Sequence, residues 1–148
     1  MNHNNDRMTT ANPIKFGRTY YGQVGYDDAY DFYSFQAPVA GELKCVVTLK
    51  HSANGGLDFQ VDPSWYNNEL DSLIGRIIFS GKTTEKASLR RGTYYLRMQE
   101  SNAQYSFKLA FRPTAKVKGL KAKRYGSGRK VRVSYNKLKG ATGYQLQI

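Results

Sequence analysis

A two-residue alternation of apolar and polar side chains recurs along this chain and is nowhere replaced by helical spacing. It is cleanest in "RRGTYYLRMQ", residues 90 to 99. Tyr94, Leu96 and Met98 fall on one side of an extended chain, and Tyr95, Arg97 and Gln99 fall on the other. "QYSFKLAF", residues 104–111, repeats the pattern with Tyr105, Phe107, Leu109 and Phe111 on one face. Residues 19–24, 30–36, 42–50, 57–61, 73–79 and 84–89 read as further strands. Turn signals separate them: Gly25–Asp28, Ala40-Gly41, Asn54-Gly55-Gly56, Gly81, Arg91-Gly92 and Ser101-Asn102. Short strands at this spacing predict an all-β protein, a jelly-roll-like antiparallel β-sandwich.

A chain of 148 residues with 40% hydrophobic content can bury a core of that kind. Tyrosine is the commonest aromatic, with 12 copies. It suits strands, and it suits surfaces that must be apolar and hydrogen-bonding at once. The single cysteine, Cys45, shares a side of its strand with Leu43, Val47 and Leu49, which predicts a buried small hydrophobe. No apolar run has the length of a membrane span. The polar opening "MNHNNDRMTTANP" has no apolar core of a signal peptide.

The net charge of +12 is unevenly spread. Residues 1–113 hold 13 Lys and Arg against 11 Asp and Glu, a net of +2, whereas residues 114–148 hold 10 Lys and Arg and no acid. Composition thus divides the chain at Pro113. A flexible N-terminal segment is expected at 1–12, a sandwich at 13–112 and an incomplete β segment at 113–148.

Three stretches carry a family likeness. "FGRTYYGQV", "DFYSFQ" with the following "LKCVVTL", and "GTYYLRM" with the closing "YSFKL" resemble, in that order, the bacterial pre-peptidase C-terminal domain. The likeness spans about residues 12 to 111. The tail, "KVKGLKAK" and "RKVRVSYNKLKGATGYQLQI", resembles the opening of a fibronectin type III domain, with Tyr135 where such domains place a buried tryptophan. The first resemblance implies a non-catalytic accessory module of a secreted or cell-surface bacterial protein. It also implies that "GTYYLRM" is first a structural signature with Tyr94 in the core.

Candidate sites are few. His3 and His51 are the only histidines, and neither lies in a nucleophile–base setting. "GRIIFSGKT" has five residues between its glycines where a phosphate loop needs four, and its Ile77-Ile78-Phe79 run reads as a strand. One cysteine and two scattered histidines give no transition-metal spacing. Asp27, Asp28 and Asp31 in "YDDAYD" could supply part of the oxygen set that calcium needs, and the resemblance adds that some relatives bind calcium. Aspartates also simply favour turns. Tyr95 is expected on the sandwich's second face. Tyr95, with Trp65 and Tyr66 in "DPSWYNNE", is the candidate aromatic platform for a sugar or protein ligand, although Trp65 would equally pack back to plug one end of the sandwich.

Three functions follow as expectations. The first is a module binding an extracellular polysaccharide or a matrix or cell-wall polymer, or supporting neighbouring domains. The second is a spacer without ligand. The third is a polyanion or nucleic-acid binder acting through the basic tail, whose lysines also read as the solvent face of strands.

Overall fold

The computed structural model describes residues 5–53, 56–63, 72–100, 102–114, 118–126 and 130–137. Its strands are β1 (Asn12–Pro13), β2 (Thr19–Val24), β3 (Tyr30–Ala37), β4 (Gly41–Ser52), β5 (Leu57–Pro63), β6 (Ile74–Ile78), β7 (Gly81–Leu89), β8 (Gly92–Gln99), β9 (Ala103–Pro113), β10 (Lys121–Tyr125) and β11 (Lys130–Ser134). All eight strands expected before Pro113 form, most of them lengthened by one to three residues. Gly81, expected as a turn, instead opens β7 with φ at +68°, a left-handed conformation that glycine adopts without steric cost.

The strands make two sheets of a β-sandwich. One has five strands in the order β1-β3-β8-β5-β6, and the other has four in the order β2-β9-β4-β7. Pairing is antiparallel throughout both sheets except for the two-residue pairing of β1 with β3. The inner residues of both sheets meet in one core. From β8 it takes Tyr94, Leu96 and Met98; from β9, Tyr105, Phe107 and Leu109; from β4, Leu43, Cys45 and Val47. Cys45 is fully buried, as its alternation predicts. Each such side chain contributes roughly 1.5–3 kcal/mol through burial. The Tyr94 ring stacks on Phe35 at 5.7 Å between centroids, and its hydroxyl donates to the Arg90 carbonyl at 2.9 Å, tying the turn before β8 to the core.

Order begins earlier than alternation suggests. Within the segment expected to be flexible, Asn5 is 2% exposed, and its carbonyl accepts the Phe32 N–H at 2.8 Å. A single 3-10 turn, Met8–Thr10, follows before β1. Such anchoring depends on hydrogen bonds to β3, for which local sequence carries no signal.

Beyond Pro113 the described residues form one hairpin, β10 with β11, in antiparallel register from Lys121–Ser134 to Tyr125–Lys130. On the apolar side expected for this segment, Val131 is 57% exposed, Tyr135 is 40% exposed and Val133 is half-buried. A hairpin alone is not a fibronectin type III domain. No helix among the described residues is long and apolar enough to cross a membrane.

Candidate functional site

The outer face of the five-stranded sheet is built by the residues that alternate with the core. From β3 come Tyr30, Phe32, Ser34 and Gln36; from β8, Thr93, Tyr95, Arg97 and Gln99; from β5, Asp58, Gln60 and Asp62. Register sets them in rows. Ser34, Tyr95 and Asp62 lie side by side, as do Phe32, Arg97 and Gln60, and then Tyr30, Gln99 and Asp58. Tyr95 therefore occupies the middle of its row on the central strand, half-buried on the second face, as expected.

Side-chain contacts order this face. The rings of Tyr30 and Phe32 lie 6.4 Å apart and nearly parallel, at 23°. Gln60 donates to Asp58 at 3.4 Å and accepts from the Ser72 hydroxyl at 3.2 Å. The Nε of Arg97 is buried and has no hydrogen-bond partner among the described residues. Arg97 is half-buried in the middle of this aromatic and amide-rich face.

Two pockets sit at opposite ends of the β3–β8 pair. One, of about 400 Å³, is lined by Pro13, Ile14, Lys15 and Phe16 together with Ser34, Phe35, Gln36 and Thr93. The other, of about 290 Å³, is lined by Tyr26, Ala29, Asp58, Gln99 and Glu100. Between Gln36 and Tyr30 the chain advances six residues, roughly 20 Å at strand rise. The outcome is an elongated strip with concave ends and aromatic side chains between them. Tyr26, 91% exposed, stands beside its acidic end.

The acidic turn divides its three aspartates. Gly25 and Asp28 pair their backbones across the turn, at 2.8 and 3.2 Å, leaving Asp27 exposed at its tip. Asp28 and Asp31 are each 6% exposed, and both line a pocket of about 210 Å³ with Asn5, Asn12, Tyr21, Gly22, Gln23 and Tyr33. Asp31 is held by two donors: Asn5 Nδ2 at 2.7 Å and the Tyr105 hydroxyl. Tyr33 and Tyr105 join hydroxyls at 2.9 Å, extending the network across both sheets. Burial raises the Asp31 carboxyl above its ordinary range, against the pull of the two hydrogen bonds. Burial and the nearby Asp31 charge push the Tyr33 phenol up to about 12, and burial raises Tyr105 well above its ordinary value. Among the described residues no three His, Cys, Asp or Glu side chains gather to hold a metal ion.

Trp65 and Tyr66, the expected aromatic platform, lie outside the described residues, as does His3. His51 is exposed near the end of β4, next to an irregularity in its register with β9. Sequence reasoning missed Tyr26, Tyr30, Phe32, Arg97 and Gln60. The signal for Tyr30 and Phe32 was present in the alternation of "YDFYSFQ", which puts them opposite Asp31, Tyr33 and Phe35.

The sandwich superposes on the pre-peptidase C-terminal domain of a collagenase from Bacillus anthracis with a TM-score of 0.57, at 17% identity, over 67% of this chain and 93% of that one. It aligns with a periplasmic inhibitor of g-type lysozyme from Aeromonas hydrophila at a TM-score of 0.47 and 16% identity, covering 69% and 96% of the two chains. A carbohydrate-binding module solved with calcium and xylotriose aligns at a TM-score of 0.34 and 16% identity, covering 67% and 93%. At such identities likeness bears on the fold alone, and the two lower scores add nothing to it. No family model matches the chain. The fold is a β-sandwich like that of a pre-peptidase C-terminal domain.

Proposed function

We propose that this chain is a non-catalytic accessory module of a secreted or cell-surface protein, and that it binds an extended extracellular polymer, a polysaccharide or a matrix protein, along the outer face of the five-stranded sheet. One observation carries the reading. Tyr95, Phe32 and Arg97 lie in adjacent rows between two pockets at the ends of one strand pair. An elongated strip about 20 Å long suits a linear ligand better than a compact one. Half-exposed rings offer faces to sugar rings or to apolar side chains, while Asp58, Gln60, Gln99 and Arg97 offer the hydrogen bonds that orient them. The fold is one that a collagenase carries as a domain, which agrees with a supporting role beside other domains.

Calcium belongs to the same proposal, at the pocket shared by Asp28 and Asp31. Its lining is rich in oxygen donors, with Asn5, Asn12 and Gln23 beside the two carboxylates, which fits a hard cation. Asp27 is not part of that lining. A bound cation would have to compete with the hydrogen bonds that Asn5 and Tyr105 make to Asp31. Bound there, calcium would supply charge neutralisation and would cross-link the N-terminal segment to β3.

The test is binding of the whole chain to a panel of soluble polysaccharides and triple-helical collagen peptides, followed by titration calorimetry on whatever binds. Tyr95→Ala and Phe32→Ala are expected to weaken binding roughly tenfold each while leaving the melting temperature within a few degrees. Wild-type affinity in both variants would reject this face. Absence of binding across the panel would reject the ligand and leave a spacer.

A further inference from the structure

We propose that the outer face of the four-stranded sheet is a second docking surface, one that takes a linear sulfated polysaccharide. The near-neutral charge of residues 1–113 conceals a segregation that the fold creates. Lys44 and Lys50 on β4, Lys82 and Lys86 on β7, and Lys108 and Arg112 on β9 alternate with core residues and project from this one face. Among the described residues in strands of this sheet, Glu42 is the carboxylate that shares the face; it contacts Lys86 at 3.3 Å and Arg112 at 3.9 Å. The acids lie elsewhere. Asp28, Asp31 and Asp62 are buried, Asp58 is on the outer face of the other sheet, and Glu85, on the inward side of β7, contacts Arg76 at 3.5 Å.

Register sharpens the concentration. Lys44 and Lys86 are direct cross-strand partners, and Lys108 is a diagonal neighbour of Lys44. Like charges facing each other on a sheet are destabilising. Lysines on an edge strand guard against sheet-to-sheet pairing, which accounts for Lys82 and Lys86 on β7. That account does not reach Lys44 and Lys108, because β4 and β9 are the two interior strands of the sheet and have no free edge. A polyanion lying across the face would neutralise the facing ammonium groups, and release of its condensed counterions would drive the binding.

Surface texture selects the class of polyanion. The face carries ammonium groups at strand and interstrand spacing and interleaves them with hydroxyls of Thr19, Thr48, Thr84 and Ser88. Single-stranded nucleic acid needs aromatic platforms for its bases. The exposed aromatic on this face, Tyr21, already lies under the Lys50 ammonium at 4.6 Å from the ring centroid. A sulfated glycan needs no such platform and takes both the charges and the hydroxyls.

The experiment uses the whole chain and dextran sulfate, with unsulfated dextran and a single-stranded oligothymidylate as comparison probes. Saturable binding to dextran sulfate is expected, falling steeply with salt and absent for dextran. Lys44→Gln with Lys108→Gln should reduce it at least about tenfold without lowering the melting temperature, which relief of the like-charge repulsion would raise. The edge-strand pair Lys82→Gln with Lys86→Gln gives an independent measure of the same face. Tail variants Lys121→Gln, Lys123→Gln and Arg132→Gln should have a smaller effect. Loss of binding in the tail variants alone would overturn the proposal. So would wild-type affinity in both sheet-face pairs, equal affinity for unsulfated dextran, or equal affinity for the oligothymidylate.

Discussion

Tyr33 and Tyr105 join hydroxyls at 2.9 Å across the two sheets of the sandwich. Tyr105 passes its own proton toward Asp31, so Tyr33 is the donor to Tyr105. The Tyr105 ring lies over Gly22, its register partner on β2. A buried polar link of this kind stabilises only while every member is satisfied.

Gly22→Ala should break it. A Cβ at that position would stand 2.3 Å from the Tyr105 hydroxyl, so the ring must move away from Asp31. The expected loss is about 1–3 kcal/mol from crowding, plus the cost of a buried carboxylate left with one donor fewer. Urea unfolding of the variant and of Tyr105→Phe checks both parts. If Gly22→Ala unfolds at the wild-type midpoint, the close approach is not energetically real.

Asp31 sets a pH dependence. Its carboxyl is raised above the ordinary 3.8, chiefly by burial. A raised folded value means that the contribution is fully present below 3.8 and is lost as pH rises through the folded value. The wild type is therefore expected to lose stability relative to Asp31→Asn as pH rises above 3.8 and through the raised folded value. Thermal melts of both proteins across that window decide the sign. A constant difference would mean that the carboxyl titrates normally.

Cys45 should be silent in the folded protein. The thiol is fully buried, and burial followed by the Glu85 charge pushes it up to about 12. Thiolate is the reactive form. A thiol reagent at neutral pH is expected to label Cys45 only as fast as the sandwich opens, and at once in denaturant. Rapid labelling of native protein would contradict the packing of β4.

Calcium, if bound at the Asp28–Asp31 pocket, raises the melting temperature by mass action, and chelator reverses it. Asp28→Asn should abolish the shift, whereas Asp27→Asn, at an exposed tip outside the pocket lining, should leave it intact. No shift in the wild type removes calcium from the account, while polymer binding proposed for the strip stands or falls by its own test.

What local pattern governs could be read from the sequence, and what register governs could not. Period-two alternation suffices to bury Cys45 and Tyr94 and to turn Tyr95 outward, because a strand leaves a side chain only two directions. Tyr30 and Phe32 obey the same rule and were within reach. Gly22 beneath Tyr105, and Lys44 opposite Lys86, depend on which strands pair and in what register, and no short window contains that information. The anchoring of Asn5 by Asp31 and Phe32 is hidden for the same reason. Counting charge by segment located basicity in the tail and missed the lysine face, since alternation along β4, β7 and β9 separates charges in space that are intermixed in sequence.

The position of β9 also constrains the order in which the protein can be made. It lies between β2 and β4 and pairs with both, yet in sequence it comes after every other strand of the two sheets. A nascent chain that has delivered residues 5–102 therefore carries β2 without a partner and β4 paired on one side only. Unpaired strand edges are templates for intermolecular association. Synthesis that stalls short of residue 103 leaves those edges open, whereas delivery of the next eleven residues, Ala103–Pro113, supplies both missing ladders together.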